Sequence, residues 1–182
     1  SPKERDRDIR RRFQKTIKGW MGVAFIGTVI WVTYHLTGFV ATERESGMST
    51  LIDAMMPVRK PWHSMVARII AHHLSFSLIY LPAWVVGSIV VRGGVFAKTN
   101  IGIVLIFHVI TGLALSSISL LFASFFKRAQ LSGISSILAV AQLGILAQTL
   151  TSPGTVPVTV LSLFFTPCAF VFFISNMARF EE

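Results

Sequence analysis

Thr42–Arg68, TERESGMSTLIDAMMPVRKPWHSMVAR, lies between two long apolar runs and is the only interior stretch that holds several charges. Thr42-Glu43-Arg44-Glu45 has the pattern of a capping box: a hydroxyl at the N-cap, and a carboxylate three residues on that reaches back to a free amide. After it, Met48, Leu51, Ile52 and Met55 fall at i, i+3, i+4 and i+7, one face of a short helix. Pro57 is expected to end that helix, and Arg59, Lys60 and Arg68 place positive charge on the same side of a bilayer. The stretch predicts an amphipathic helix over 43–56 at a membrane surface, joining two spans and open to a partner outside the lipid.

The composition around this stretch demands a membrane. Of 182 residues, 53% are hydrophobic and 14% charged, whereas a soluble domain carries about a quarter charged residues; the mean hydropathy is +0.66. The net charge of +9 does not point to nucleic acid, because eight of the 17 basic residues fall in the first 18 positions and the apolar remainder offers no soluble binding face. Residues 1–18, with Arg10-Arg11-Arg12 at their centre, form a polar basic lead-in. A lone Cys168 permits no internal disulfide. No short apolar core follows a basic n-region, so no signal peptide is expected. The opening Ser1-Pro2 and the abrupt close at Arg179-Phe180-Glu181-Glu182 suggest a piece of a larger protein.

Residues 19–182 divide into spans. Residues 20–41 make about 22 residues at ~1.5 Å each, enough for a ~30 Å core. Further spans are expected over 69–91, 101–126 and 131–150. The second is entered past Trp62 and His63 at the interface and kinked at Pro82. Arg92-Gly93-Gly94 begins a tight turn ending at Lys98-Thr99-Asn100, and Phe125–Gln130 forms a short basic turn. Gly112 and Ser116, Ser132 and Ser136, and Gly144 are small residues at spacings that let helix backbones approach closely. Gln142, polar at mid-depth, is expected to face other helices. Thr151–Gly154 turns the chain into a last apolar run, 156–174, broken by Pro167. That run is either a fifth span or a re-entrant helical hairpin buried against protein, the hairpin being preferred. The fold class is all-α integral membrane: a polytopic helical bundle of four full spans, a fifth apolar span or hairpin, and a short amphipathic helix.

Sidedness divides by how charge is counted. With the N-terminal run included, ten basic residues on that side oppose six on the side of the 42–68 loop; counting only loops between spans, six oppose two and the loop is cytosolic. No Lys, Arg or carboxylate is expected inside a span, which weakens proton- or sodium-coupled transport. His35 and His108 are expected as packing residues and His72-His73 as an interfacial pair, since adjacent side chains on a helix point about 100° apart and make a poor metal pair. HExxH, GxSxG and GxxxxGK[ST] are all missing, so no catalytic residue, metal site or nucleotide hydrolysis is expected in this segment.

A span ending in Val40-Ala41-Thr42-Glu43-Arg44-Glu45, then a Leu/Met helix and Trp62, resembles the membrane domain of A-subfamily ABC exporters (the type II exporter fold). Phe125-Phe126-Lys127 resembles that family's short cytosolic turn, and Leu163–Glu182 its apolar segment before the last span. Ile52–Pro57 is nearest in wording to fungal members. The resemblance implies that 43–56 is a cytosolic coupling helix. Glu43, Arg44, Glu45, Met48, Leu51, Ile52 and Met55 would then contact nucleotide-binding domains of the same polypeptide, which carry ATP and Mg. It implies a second transmembrane half, contact with membrane lipids, an extracellular basic lead-in, and export of lipid or other hydrophobic cargo. The alternatives are a membrane assembly protein that docks a soluble partner without transport and, less favoured, a secondary transporter. Plasma and organellar membranes both stay open.

Overall fold

The computed structural model describes residues 2–56, 60–150 and 155–181, which form seven helices and no strand. They are α1 (Pro2–Glu45), α2 (Met48–Met55), α3 (Pro61–Gly94), α4 (Ile101–Phe125), α5 (Ala129–Thr149), α6 (Thr155–Phe164) and α7 (Thr166–Glu181). Four stretches are long and apolar enough to cross a membrane: Gly22–Glu45 within α1, Trp62–Gly94, Ile101–Phe125 and Ala129–Thr149. The all-α, multi-pass architecture expected from the sequence is therefore present.

Several boundaries differ from the sequence reading, each for a local reason. The capping box at Thr42 does not form, because α1 runs unbroken from the basic lead-in to Glu45 and Thr42 lies inside it. The break comes at Gly47, whose φ of 76° is a left-handed value open to glycine at little cost. Gly47 ends α1 and directly precedes α2, so the short helix is Met48–Met55 rather than 43–56, and Glu43–Glu45 form the last turn of α1. The second span starts at Pro61, eight positions before the expected Ile69, with proline in the first turn where its missing N–H costs nothing. Trp62, His63 and Arg68 thus belong to α3, which continues through Pro82 to Gly94. In the last apolar run the helix breaks at Phe165, and Pro167 sits in the first turn of α7 instead of interrupting it. Pro57, Arg59 and the Thr151–Gly154 turn lie outside the described residues.

The bundle is apolar outside, and its interior mixes large apolar side chains such as Leu115 and Phe170 with small and hydroxylated ones. Trp31, Leu78, Ile79, Ile106 and Ile145 point outward, while Thr33, Ser88, Ser119 and Ser136 are buried. These hydroxyls donate to backbone carbonyls one turn back: Thr33 to Val29 at 2.8 Å, Ser88 to Trp84 and Ser119 to Leu115 at 2.7 Å, and Ser136 to Gly133 at 2.7 Å. Such pairing satisfies each donor without water, and small residues inside let backbones approach where no hydrophobic drive exists between helices in lipid. A Cβ on Gly144 would stand 2.9 Å from Ile26 of α1, one on Gly133 2.7 Å from Tyr34, and one on Gly112 2.9 Å from Trp84 of α3. The small-residue positions Ser132, Ser136 and Gly144 are buried on the face of α5 toward the bundle. Gln142 is not on that face. It is exposed, and α5 packs through its small residues together with Val140 and Leu143.

The contacts sort the loops into two ends. Glu45 touches Ala129, so the α1–α2 junction and the α4–α5 turn share one end. The α3–α4 turn and the end of α5 lie at the other. Here Glu181, almost fully buried, accepts from the backbone N–H of Lys98 and of Thr99 at 2.8 Å, and from the Thr99 hydroxyl at 2.9 Å. Between them, α7 threads into the core, with Cys168 donating to the Leu143 carbonyl at 3.3 Å and Phe170 stacked on Phe107.

The close approach of α1 and α5 is testable. Gly144→Val should destabilise the detergent-solubilised protein by about 1–3 kcal/mol through overpacking. Gly38→Val, at a position with nothing within 4 Å of the added Cβ, should cost far less. Equal shifts in unfolding temperature for the two variants would show that the approach at Gly144 is not tight.

Candidate functional site

Successive helical side chains point about 100° apart, and the last turn of α1 uses this to reach three neighbours. Glu43 turns to α3, its Oε2 lying 3.4 Å from His72 Nε2. Arg44 turns to α4 and donates from Nη1 to the carbonyl of Ala123. Glu45 turns to α5, where its Oε2 accepts from the backbone N–H of Ala129 at 2.9 Å. That N–H is an orphan at the first turn of α5, and a carboxylate there also meets the positive end of the helix dipole. The three charged residues expected to face a partner therefore hold the bundle's own helices.

The short helix α2 is fastened on one side and bare on the other. Asp53 Oδ1 accepts from the Ser64 hydroxyl at 2.6 Å, Asp53 Oδ2 lies 3.3 Å from Arg68 Nη1, and the same nitrogen donates to the Ser49 carbonyl at 3.3 Å. Both partners sit on α3. No residue of α2 is buried. Met48 is 50% exposed, Leu51 54% and Met55 75%, whereas Ile52 is half-buried toward the bundle. Of the four apolar residues expected on one face, three form an open ridge and the fourth helps seat the helix.

Above α2 a cleft of about 570 Å³ lies among α1, α3 and α4, lined by Glu43, Arg44, Arg68, His72 and His73 against Met65, Ile69 and Leu120. The two histidines, expected as an interfacial pair, are half-buried and each takes a separate partner. His72 meets Glu43 and stacks on Phe76 with ring centroids 5.8 Å apart. His73 Nδ1 lies 2.6 Å from the Ser116 hydroxyl and its Nε2 3.5 Å from that of Ser117. Ser116, expected for helix packing with Gly112, thus packs α4 on α3 through a hydrogen bond. His35 pairs with the Tyr80 hydroxyl at 2.9 Å and His108 with the Val104 carbonyl at 2.8 Å, the packing roles expected of them. Among the described residues no group of three or more His, Cys, Asp or Glu could hold a metal ion.

No protein-family model, curated protein or solved structure matches the chain. The site therefore stands on its own geometry.

Sequence reasoning passed over Asp53 and Ser64, although Asp53 is the one acid within Met48–Met55. An acid on an otherwise uncharged eight-residue helix, followed by Arg68, is the signal that was available. Glu181 gave none, since its partners Lys98 and Thr99 lie more than 80 positions away.

Asp53→Ala should release α2 from α3 while leaving α4 and α5 packed. Losing a charge-assisted hydrogen bond worth ~1.5–3 kcal/mol should speed amide exchange across 48–55 about tenfold or more. Unchanged exchange there would mean that α2 is held by other means.

Proposed function

We propose that this chain is part of the transmembrane domain of an ATP-driven exporter of the A-subfamily ABC type, moving lipid or other hydrophobic cargo, with α2 as its coupling helix. The observation that carries the reading is the ridge of Met48, Leu51 and Met55. A helix at the end of a spanning bundle, tied to α3 beneath and left apolar on top, suits a cap against which a soluble domain packs. In this reading the occupant of the ridge is a nucleotide-binding domain of the same polypeptide. That domain would carry ATP and Mg²⁺, for which these residues offer no phosphate-binding loop. Displacement of α2 would be passed to α3 through Asp53 and Arg68. The last turn of α1, through Glu43, Arg44 and Glu45, would share the load among α3, α4 and α5.

The run from Thr155 to Glu181 is proposed as a re-entrant hairpin. Its support is that α6 follows the end of α5 while Glu181 is held by Lys98 and Thr99, at the same end of the bundle, with the Phe165 break between the two helices. A second reading, a membrane assembly protein that docks a soluble partner without transport, draws on the same ridge.

The two readings part on energetics and on sidedness. In the full-length protein, Leu51→Asp should leave membrane insertion intact and abolish ATP-driven export, because a charge on the ridge would be buried unpaired against the motor domain. Unchanged export would refute coupling through α2. With Cys168→Ser as background, a cysteine at Gly94 should react with an impermeant maleimide in intact cells, and one at Ser49 only after permeabilisation. Labelling at 49 from outside would leave no ATPase to couple to and would favour the docking protein.

A further inference from the structure

The three helices around the polar cleft are not packed alike. α4 packs against both α1 and α3, whereas the backbones of α1 and α3 hardly approach one another. Side chains bridge that gap in an antiparallel ladder with one rung per helical turn. His35 bonds Tyr80 at 2.9 Å, Phe39 meets Phe76 edge to face with ring centroids 6.4 Å apart, and Glu43 lies 3.4 Å from His72. Each step of four residues up α1 is matched by four residues down α3, the spacing that keeps side chains on one face. The Glu43–His72 rung is the last before α2.

That rung is the one in which a histidine faces an acid. The His72 and Glu43 side chains keep only 15% and 20% of their surface exposed. Arg44, also on α1 and lining the same cleft, is exposed and donates to the Ala123 carbonyl. From α3 itself Arg68 and His73 share the cleft, Arg68 with Asp53 of α2 at 3.3 Å and His73 with the Ser116 hydroxyl at 2.6 Å. The remaining polar groups on the walls, Ser49 of α2 and Ser117 and Ser124 of α4, carry no charge. Asp53 is thus matched by Arg68, and Glu43 has His72 as its one basic partner among the described residues. A neutral imidazole at this distance makes a long hydrogen bond. A protonated one makes an ion pair, strengthened where little water reaches it.

We propose that His72 is a proton-operated latch between α1 and α3: protonated, it pairs with Glu43 and holds the seam shut beside α2, and neutral, it lets that rung part. Histidine changes charge between about pH 5 and 8, so the seam tightens as pH falls through that range and loosens as it rises. Neither the Tyr80 nor the Phe76 rung contains a carboxylate, so both persist across the range and confine the opening to the α2 end. The latch needs the seam alone; neither ATP coupling nor any cargo enters it.

Nitroxide labels on cysteines introduced at Thr42 and Ile70, both exposed, report the separation of α1 and α3 in the full-length protein with Cys168→Ser as background. Pulsed electron resonance should show the ratio of close to open populations rising about tenfold from pH 8 to pH 5, the scale of one charge-assisted bond. His72→Gln should make the ratio indifferent to pH. Because His72 also stacks on Phe76, Glu43→Gln, which leaves the ring in place, gives an independent check and should abolish the response equally. His73→Gln, whose native partners are hydroxyls, should keep it. A ratio unchanged between pH 8 and pH 5 would overturn the proposal. So would a response that survives His72→Gln or Glu43→Gln, or one that disappears with His73→Gln.

Discussion

The bundle depends on one turn of helix. At Glu43, Arg44 and Glu45 three adjacent side chains fan out by about 100° each and take hold of α3, α4 and α5 in turn. Elsewhere the spans meet mainly through apolar and small residues, joined by the neutral His35–Tyr80 and His73–Ser116 hydrogen bonds, with no solvent-driven force between apolar faces in lipid. These three contacts are different in kind: directional, charge-assisted and gathered at one level of the structure. They fix the axial position of α1 against its neighbours. The Gly22, Gly133 and Gly144 approaches can then close without a choice of register.

A second clamp works at the opposite end. The Glu181 carboxylate gathers two backbone amides and a hydroxyl from the α3–α4 turn, and Lys98 Nζ returns a bond to the Glu181 carbonyl at 2.7 Å. A carboxylate this deeply buried is tolerated because three donors replace its water. Between the two clamps many buried hydroxyls bond within their own helix, while Ser132 reaches the Phe122 carbonyl of α4 and Ser116 reaches His73 of α3. The spans are thus held at both ends.

Most of the fold was legible in the sequence, and the candidate site only in part. Spans announce themselves because about 20 apolar residues in a row have no other stable home, and Ser132, Ser136 and Gly144 are buried while a Cβ on Gly112 would meet Trp84. Helix ends were harder to place. Thr42 through Glu45 matched a start signal, yet nothing between the lead-in and Glu45 stops a helix already running, and the local motif lost to propagation. Gly47, free to take a positive φ, and Pro61, with its fixed φ and no N–H to leave unpaired, were the true punctuation. The partners of Glu43, Arg44, Glu45 and Glu181 could not be read, because which helix stands at a given azimuth is a property of the assembled bundle. Gln142 shows the same limit: its depth was legible and its direction was not.

Gly47 carries one more consequence. Because only Ser46 and the left-handed Gly47 separate α2 from α1, while Asp53 and Ser49 bind α2 to α3, the short helix is tied by side chains to the third helix of the chain and hinged to the first. A push on its outer face becomes a torque on α3 about the Gly47 pivot. The clamped foot of α1 supplies the fulcrum. The ridge, the Gly47 pivot and the wedge between α1 and α3 in which the cleft lies are thus parts of one connected piece of structure.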